Sequence, residues 1–156
     1  FATWAPSLFA YYAQHLRDLL LHDMTLIMNW MTSIFACTTF NLGPRTLCFR
    51  HTDSSNLLFS WCAITALGNF DYHHGGHFVL WDLKLVINFP PGSTILIPSA
   101  ILCHSNTNIC HNEQQYSFTQ YTMGGLFRWV DYGYQSSEAY WNGLNEEERL
   151  RAKVAR

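Results

Sequence analysis

The stretch HTDSSN (residues 51–56) contains two side chains that bind metals, His51 and Asp53, followed by the amide of Asn56. Two histidines and one carboxylate on one face of a metal are the ligands of mononuclear Fe(II) oxygenases, which keep the opposite face open. The chain has eight histidines among 156 residues, so a histidine two residues before an aspartate also arises by chance. The alternative is therefore a polar turn that happens to contain a histidine.

A third ligand is available at His104, which follows the apolar run 95–102. A strand that ends in a histidine suits a ligand, whereas a hydrogen-bonded loop histidine is the alternative. Asp53 and His104 are 51 positions apart (104 − 53), and about four short strands occupy the interval. That spacing is typical of a jelly roll. Four other histidines compete as ligands, namely His73, His74, His77 and His111.

Helical patterns flank a strand-rich centre. Apolar residues at helical spacing predict a helix over 5–21, and Ser136 and Asn145 each precede a short helical segment near the C-terminus. Between them lie the β-rich runs FACTTFN, RTLCFR, WCAITALG, HFVLWDL, LVINF, STILIPS and YSFTQY, divided by glycine and proline. Many short strands predict a sandwich or barrel. We expect one domain over 1–156, with a helical lead-in at 1–33, a β core at 34–122 and a helical C-terminal part at 124–156.

Composition limits the classes of function. Charged residues make up only 13% of the chain and the net charge is −2, so no broad basic surface is expected and any nucleic-acid contact is local. The five cysteines form no C-x-x-C pair, which favours reduced thiols in an intracellular protein. No targeting signal or membrane span is visible. Because the chain starts at Phe1, we expect it to be part of a longer protein.

Two longer stretches, GGHFVLWDLKLVINFPPGSTILIPSAILCHSN (75–106) and YSFTQYTMGGLFRWV (116–130), resemble the fungal branch of the Tet/JBP family. The resemblance covers about residues 35–134. Members of this family are Fe(II)- and 2-oxoglutarate-dependent dioxygenases, many of them associated with transposons. The resemblance implies a mainly β protein with flanking helices (α+β) around a double-stranded β-helix, which is a cupin-like jelly roll. It also implies oxidation of the 5-methyl group of 5-methylcytosine or thymine, with methylated DNA as partner and the nucleus as location.

The resemblance assigns a role to each matching residue. The iron ligands fall on His51, Asp53 and His104, so that HTDSSN resembles two iron ligands followed by a base-reading amide. Asn56 matches the asparagine that contacts the flipped base, and an amide suits the Watson–Crick edge because it both donates and accepts. Three further matches are Tyr121, as the aromatic residue that stacks on the base, His77, as a contact of the 2-oxoglutarate carboxylate, and Ser117, beside the co-substrate.

The main departure from the family pattern concerns the co-substrate. The arginine that clamps the distal carboxylate of 2-oxoglutarate, two residues before the serine, is Gln115 here. Losing that charged partner costs about 2–4 kcal/mol of binding free energy. Three readings remain open: the domain is inactive, it binds 2-oxoglutarate weakly, or Lys84 or Arg128 supplies the cation.

Three functions therefore compete. The first is a dioxygenase acting on methylated nucleic acid, with Fe(II) as cofactor and 2-oxoglutarate as co-substrate. The second is an inactive jelly-roll domain that serves as a binding module or is the relic of a mobile element, and Gln115 separates it from the first. The third is a dioxygenase acting on a protein or a small molecule, which the low net charge favours and which the matches at Asn56 and Tyr121 oppose.

Overall fold

In the described part of the chain, a helix, seven strands and three short helices follow one another. The computed structural model describes residues 1–28 and 30–154. The elements are α1 (Pro6–His22), β1 (Cys37–Asn41), β2 (Cys62–Asn69), β3 (Phe78–Leu80), β4 (Leu85–Ile87), β5 (Thr94–Ile97), β6 (His104–Asn106), β7 (Gln114–Tyr121), α2 (Gly124–Asp131), α3 (Ser137–Gly143) and α4 (Glu146–Val154). Residue 29 of the predicted lead-in and residues 155–156 at the predicted C-terminal boundary lie outside the described residues. The predicted class, mainly β with flanking helices, is confirmed.

The strands form two antiparallel sheets. The four-stranded sheet has the order β1-β7-β2-β5, and the three-stranded sheet has the order β4-β3-β6. Strands that are distant in sequence are neighbours, since β7 lies between β1 and β2 and pairs with both. Such crossovers between two antiparallel sheets are those of a jelly roll.

The segment 45–50, predicted as a strand from RTLCFR, does not form a ladder, nor does His51 after it. His51 makes an isolated antiparallel bridge with His104, and Arg45 makes an isolated parallel bridge with Gln115. Between these points the backbone N–H of Cys48 donates to the side-chain Oδ1 of Asn106 (2.6 Å) rather than to a strand carbonyl. The segment thus runs beside β6, in the place of an eighth strand, without regular pairing.

The placement of His104 also differs from the prediction. Strand β5 ends at Ile97, and a turn follows in which the amides of Ile101 and Leu102 donate to the carbonyl of Pro98. His104 then begins β6 in the other sheet instead of ending the strand before it. The proline explains the difference, because it lacks the N–H that a continued ladder would need.

The core lies between the two sheets. Alternate residues of β2 point into it, together with Ile97 of the neighbouring strand β5, and β3 supplies the opposite side. Its members are Cys62, Ile64, Ala66, Phe70, Phe78, Leu80, Phe89 and Ile97. All five cysteines are free thiols, as predicted, although only Cys62 is fully buried. None of the described helices has both the length and the apolar character needed to cross a membrane.

Helix α1 packs against α2 through two fully buried rings. Tyr12 and Phe127 meet edge to face with their centroids 4.9 Å apart, and the hydroxyl of Tyr12 donates to the carbonyl of Trp61 at 2.7 Å. Tyr12 is the only buried residue of the predicted apolar face of α1. The C-terminal helices have the caps expected from the sequence, because Ser136 accepts from the amide of Ala139 and Asn145 exchanges two bonds with Glu148.

We expect Tyr12→Phe to lower the free energy of unfolding by about 1–2 kcal/mol, because the carbonyl of Trp61 loses the hydrogen bond from the buried Tyr12 hydroxyl. Tyr11→Phe is the matched control, since the Tyr11 hydroxyl donates to the half-exposed carboxylate of Asp131 at 3.3 Å. Tyr11→Phe should lower the free energy of unfolding by less than about 0.5 kcal/mol. Urea denaturation of both variants measures the difference, and equal costs would contradict the role given to the buried hydroxyl.

Candidate metal centre

Three side chains converge at one place in the fold. One ligand atom from each of His51, Asp53 and His104 lies within 4.8 Å of the other two. His51 Nε2 is 3.5 Å from Asp53 Oδ1, and the two imidazole rings are 4.3 Å apart between centroids. Across residues 1–28 and 30–154, no other group of three or more histidine, cysteine or acidic side chains is so arranged. The remaining histidines that competed in the sequence therefore do not assemble a comparable group.

Backbone pairing places the two histidines opposite each other. The amide of His51 donates to the carbonyl of His104 at 3.0 Å, and the amide of His104 donates back at 2.9 Å. Directly opposed residues of an antiparallel pair have Cβ atoms about 4.5–5.5 Å apart on one face. Asp53 follows two residues later, and its amide is held by the carbonyl of Ser99 at 2.9 Å. The three ligands are thus positioned mainly by main-chain bonds.

Hydrogen bonds to carbonyls fix the tautomer of both histidines. Nδ1 of His51 lies 2.7 Å from the carbonyl of Phe49, and Nδ1 of His104 lies 2.9 Å from the carbonyl of Leu102. Because a carbonyl only accepts, Nδ1 carries the hydrogen in the neutral form of each imidazole, and Nε2 then has the lone pair. Outer hydrogen bonds of this kind orient metal-binding histidines.

Burial distinguishes the three side chains. His104 is only 4% exposed and stacks beside Phe78 with the centroids 5.7 Å apart. That burial lowers the pKa of His104, and the His51 ring contributes in the same direction. A lowered pKa favours the neutral imidazole that binds metals. The side chains of His51 and Asp53 are 42% and 30% exposed, which leaves one side of the group open.

These residues fit a mononuclear Fe(II) site. They supply two imidazole nitrogens with free lone pairs and one carboxylate, which is the ligand set of non-haem Fe(II) oxygenases. Cys48, which lies close by, is a poor fourth ligand, because burial and the charge of Asp53 raise the pKa of its thiol.

A cavity of about 480 Å³ extends from the three ligands across the inner face of the four-stranded sheet. Its volume is in the range of small-molecule sites. Strand β7 lines it mainly with alternate residues, as expected from strand periodicity: Gln115, Ser117, Thr119 and Tyr121. Tyr116 of the same strand also contributes to the lining. Ile64, Phe78 and Phe89 add apolar walls.

The structure brings most of the predicted site residues to this cavity. Asn56, Gln115, Ser117 and Tyr121 all line it, together with the three ligands. The side-chain Nδ2 of Asn56 donates to Ser99 Oγ at 3.3 Å. Ser117 Oγ accepts from the side-chain Nδ2 of Asn41 at 2.7 Å. Their assigned roles toward a base and a co-substrate stay predictions.

His77 is not brought to the cavity. It immediately precedes β3, and its Nδ1 lies 3.1 Å from Thr107 Oγ1. Its neighbour Phe78 lines the cavity, whereas His77 is not among the lining residues. The prediction that His77 contacts the co-substrate carboxylate therefore has no geometric support.

Neither cation suggested by the sequence reaches the cavity. Lys84 is exposed in the turn between β3 and β4, where its φ of 54° marks a left-handed conformation. Arg128 lies on the exposed face of α2. Among the described residues, no lysine or arginine lines the cavity. The lining thus offers no positive charge to the far carboxylate of 2-oxoglutarate.

Asn106 is a cavity residue that sequence reasoning missed. It lies two residues after His104 on β6, and its amide donates to Gln115 Oε1 at 3.1 Å and to the carbonyl of Thr46 at 2.8 Å. The signal was its spacing from His104, which places both side chains on one face if 104–106 is a strand.

Comparison with known proteins bears on the fold. No protein-family model and no curated protein matches the chain. The solved structure of NgTET1 in complex with 5mC DNA aligns with a TM-score of 0.50 and 17% identity, covering 72% of this chain and 47% of that one. The viral collagen prolyl hydroxylase vCPH from Paramecium Bursaria Chlorella virus-1, solved as a 2OG complex, aligns with a TM-score of 0.39 and 15% identity. The alignment covers 69% of this chain and 68% of that one.

The chain thus spans about half the length of NgTET1. At this identity the likeness concerns the fold alone. Together with the sheet order, it confirms the predicted double-stranded β-helix.

We expect His104→Ala and Asp53→Ala each to weaken Mn²⁺ or Fe²⁺ binding by at least about 100-fold, because each removes one of three ligands. His77→Ala is the matched control, since His77 precedes β3, the strand paired with the His104 strand β6, but does not line the cavity. Anaerobic calorimetry measures all three variants. Loss of binding in His77→Ala, or retention in His104→Ala, would contradict this assignment.

Proposed function

We propose that the protein is an Fe(II)- and 2-oxo-acid-dependent oxygenase that hydroxylates the 5-methyl group of a pyrimidine base, 5-methylcytosine or thymine, in nucleic acid. The observation that carries the proposal is the grouping of His51, Asp53 and His104 on the wall of a cavity that also contains Asn56 and Tyr121. The fold shared with NgTET1, which was solved with 5mC DNA, supports it. Membership of the fungal, transposon-associated branch and a nuclear location belong to the same proposal.

Bound iron and a 2-oxo acid supply the oxidising chemistry: one atom of O₂ converts the methyl C–H to C–OH, and the other enters the 2-oxo acid, which releases CO₂ and becomes a shorter carboxylate. The protein would hold the metal through Nε2 of His51, Nε2 of His104 and the carboxylate of Asp53. The carbonyls of Phe49 and Leu102 keep both imidazoles in the ligand tautomer.

The substrate base is positioned by residues of the same cavity. A methyl group inside a duplex cannot reach the metal unless its nucleotide is extruded. The Asn56 amide offers both a donor and an acceptor to the edge of such a base. The ring of Tyr121 offers a stacking face, a contact worth about 1–3 kcal/mol per base. Ile64, Phe78 and Phe89 keep the reacting methyl group in apolar surroundings.

A second candidate function is a binding module without turnover. The observation that favours it is the absence of lysine and arginine from the described cavity lining, because the co-substrate then lacks the cation expected from the family resemblance. Such a module would bind methylated nucleic acid and metal but release no oxidised base.

We expect the iron-loaded protein, given O₂ and a 2-oxo acid, to add one oxygen atom to a 5-methylcytosine oligonucleotide. Asn56→Ala should lower kcat/KM by about 10- to 100-fold, because the base loses its hydrogen-bonding partner. Asn112→Ala is the matched control, since it removes the same amide from an exposed loop. Mass spectrometry of the nucleosides detects the product.

The outcomes separate the candidates. Product from the native protein, none from Asp53→Ala and little from Asn56→Ala would support the proposal. Binding of the oligonucleotide by the metal-loaded protein without any product would favour the binding module. Oxygen consumption without nucleic-acid product would point instead to a protein or small-molecule substrate.

A further inference from the structure

The end of the cavity away from the metal ligands is built from amides. Asn106 lies two residues beyond His104 on β6, which places it about 7 Å from that ligand along the same face. Its amide contacts the side chain of Gln115 at 3.1 Å. This distance suits the far end of a five-carbon 2-oxo acid whose near end is at the metal.

Main-chain partners fix the orientation of both amides. The N–H of Cys48 can only donate, so the Asn106 atom that it meets at 2.6 Å is the carbonyl Oδ1. The Nδ2 group of Asn106 therefore faces Gln115, whose Oε1 accepts from it. The remaining Nε2 of Gln115 donates to the carbonyl of Gly76 at 3.3 Å. The network is thus neutral and internally bonded.

A carboxylate would be poorly stabilised at this end. Gln115 is only 4% exposed, and a buried carboxylate without a cation loses its hydration without compensation. An uncharged hydrogen-bond acceptor loses much less hydration free energy on burial. Two donors remain for it: the second N–H of Gln115 and the hydroxyl hydrogen of Ser117, whose oxygen already accepts from Asn41.

We propose that this cavity selects a 2-oxo acid whose far end is an uncharged hydrogen-bond acceptor, in preference to 2-oxoglutarate, and that Gln115 determines the choice. The inference rests on the proposed function, because it assumes a 2-oxo acid at the metal. It assigns Gln115 to the specificity of the co-substrate.

The experiment compares two ligands that differ mainly in charge at the far end, 2-oxoglutarate and its 5-methyl ester. Calorimetry with the Mn²⁺-loaded protein measures the affinity for each. We expect the native protein to bind the ester at least about 10-fold more tightly. Gln115→Arg should reverse the preference, because a guanidinium pairs with the free carboxylate. Gln114→Arg adds the same charge one residue away on the exposed side of β7 and should keep the native preference.

Each outcome has one meaning. Tighter ester binding by the native protein supports the inference even if Gln115→Arg fails to fold. Equal or tighter binding of 2-oxoglutarate by the native protein overturns it and leaves the proposed function intact. If Mn²⁺ binds but neither 2-oxo acid does, the proposed function fails and the inference with it.

Discussion

The candidate metal centre depends on two main-chain hydrogen bonds between His51 and His104. They join a segment that is otherwise not a strand, 45–51, to the first residue of β6. Without this bridge the two imidazoles would have no common face, and Asp53, two residues further on, would lose its place beside them. A bound metal would add a cross-link at the same point, so metal binding and the docking of 45–51 stabilise each other.

Asn106 connects this bridge to the remainder of the cavity. Its side-chain amide contacts the backbone of Cys48 and Thr46 and the side chain of Gln115. It thereby ties segment 45–51, strand β6 and strand β7 together on the face that lines the cavity. The described structure has no buried side-chain nitrogen or oxygen without a partner. A neutral glutamine completes this network, whereas a charged side chain there would need a counter-ion of its own.

The grouping of His51, Asp53 and His104 could be predicted through the family resemblance, because the H-x-D pair and the histidine after an apolar run had each left an alternative open. The local geometry could not. The strand expected at 45–50 fails because the Cys48 amide bonds a side chain distant in sequence. His77 matched the family pattern, but its place just before β3 turns it away from the cavity. The tautomers of His51 and His104 depend on carbonyl positions that no residue pattern encodes.

The open side of the candidate metal centre lies toward the loop 51–56, which carries His51 and Asp53. His104 is buried in the sheet, whereas His51 and Asp53 are partly exposed. The same loop holds Asn56, and it is tied to the start of α2 because the amide of Gly124 donates to the carbonyl of Ser55 at 2.9 Å. A Cβ at residue 124 would lie 3.2 Å from that carbonyl oxygen, so a glycine suits this close approach. His51, Asp53 and the proposed base-contacting amide of Asn56 therefore share one short, anchored loop. A substrate entering from this side would meet all three at once.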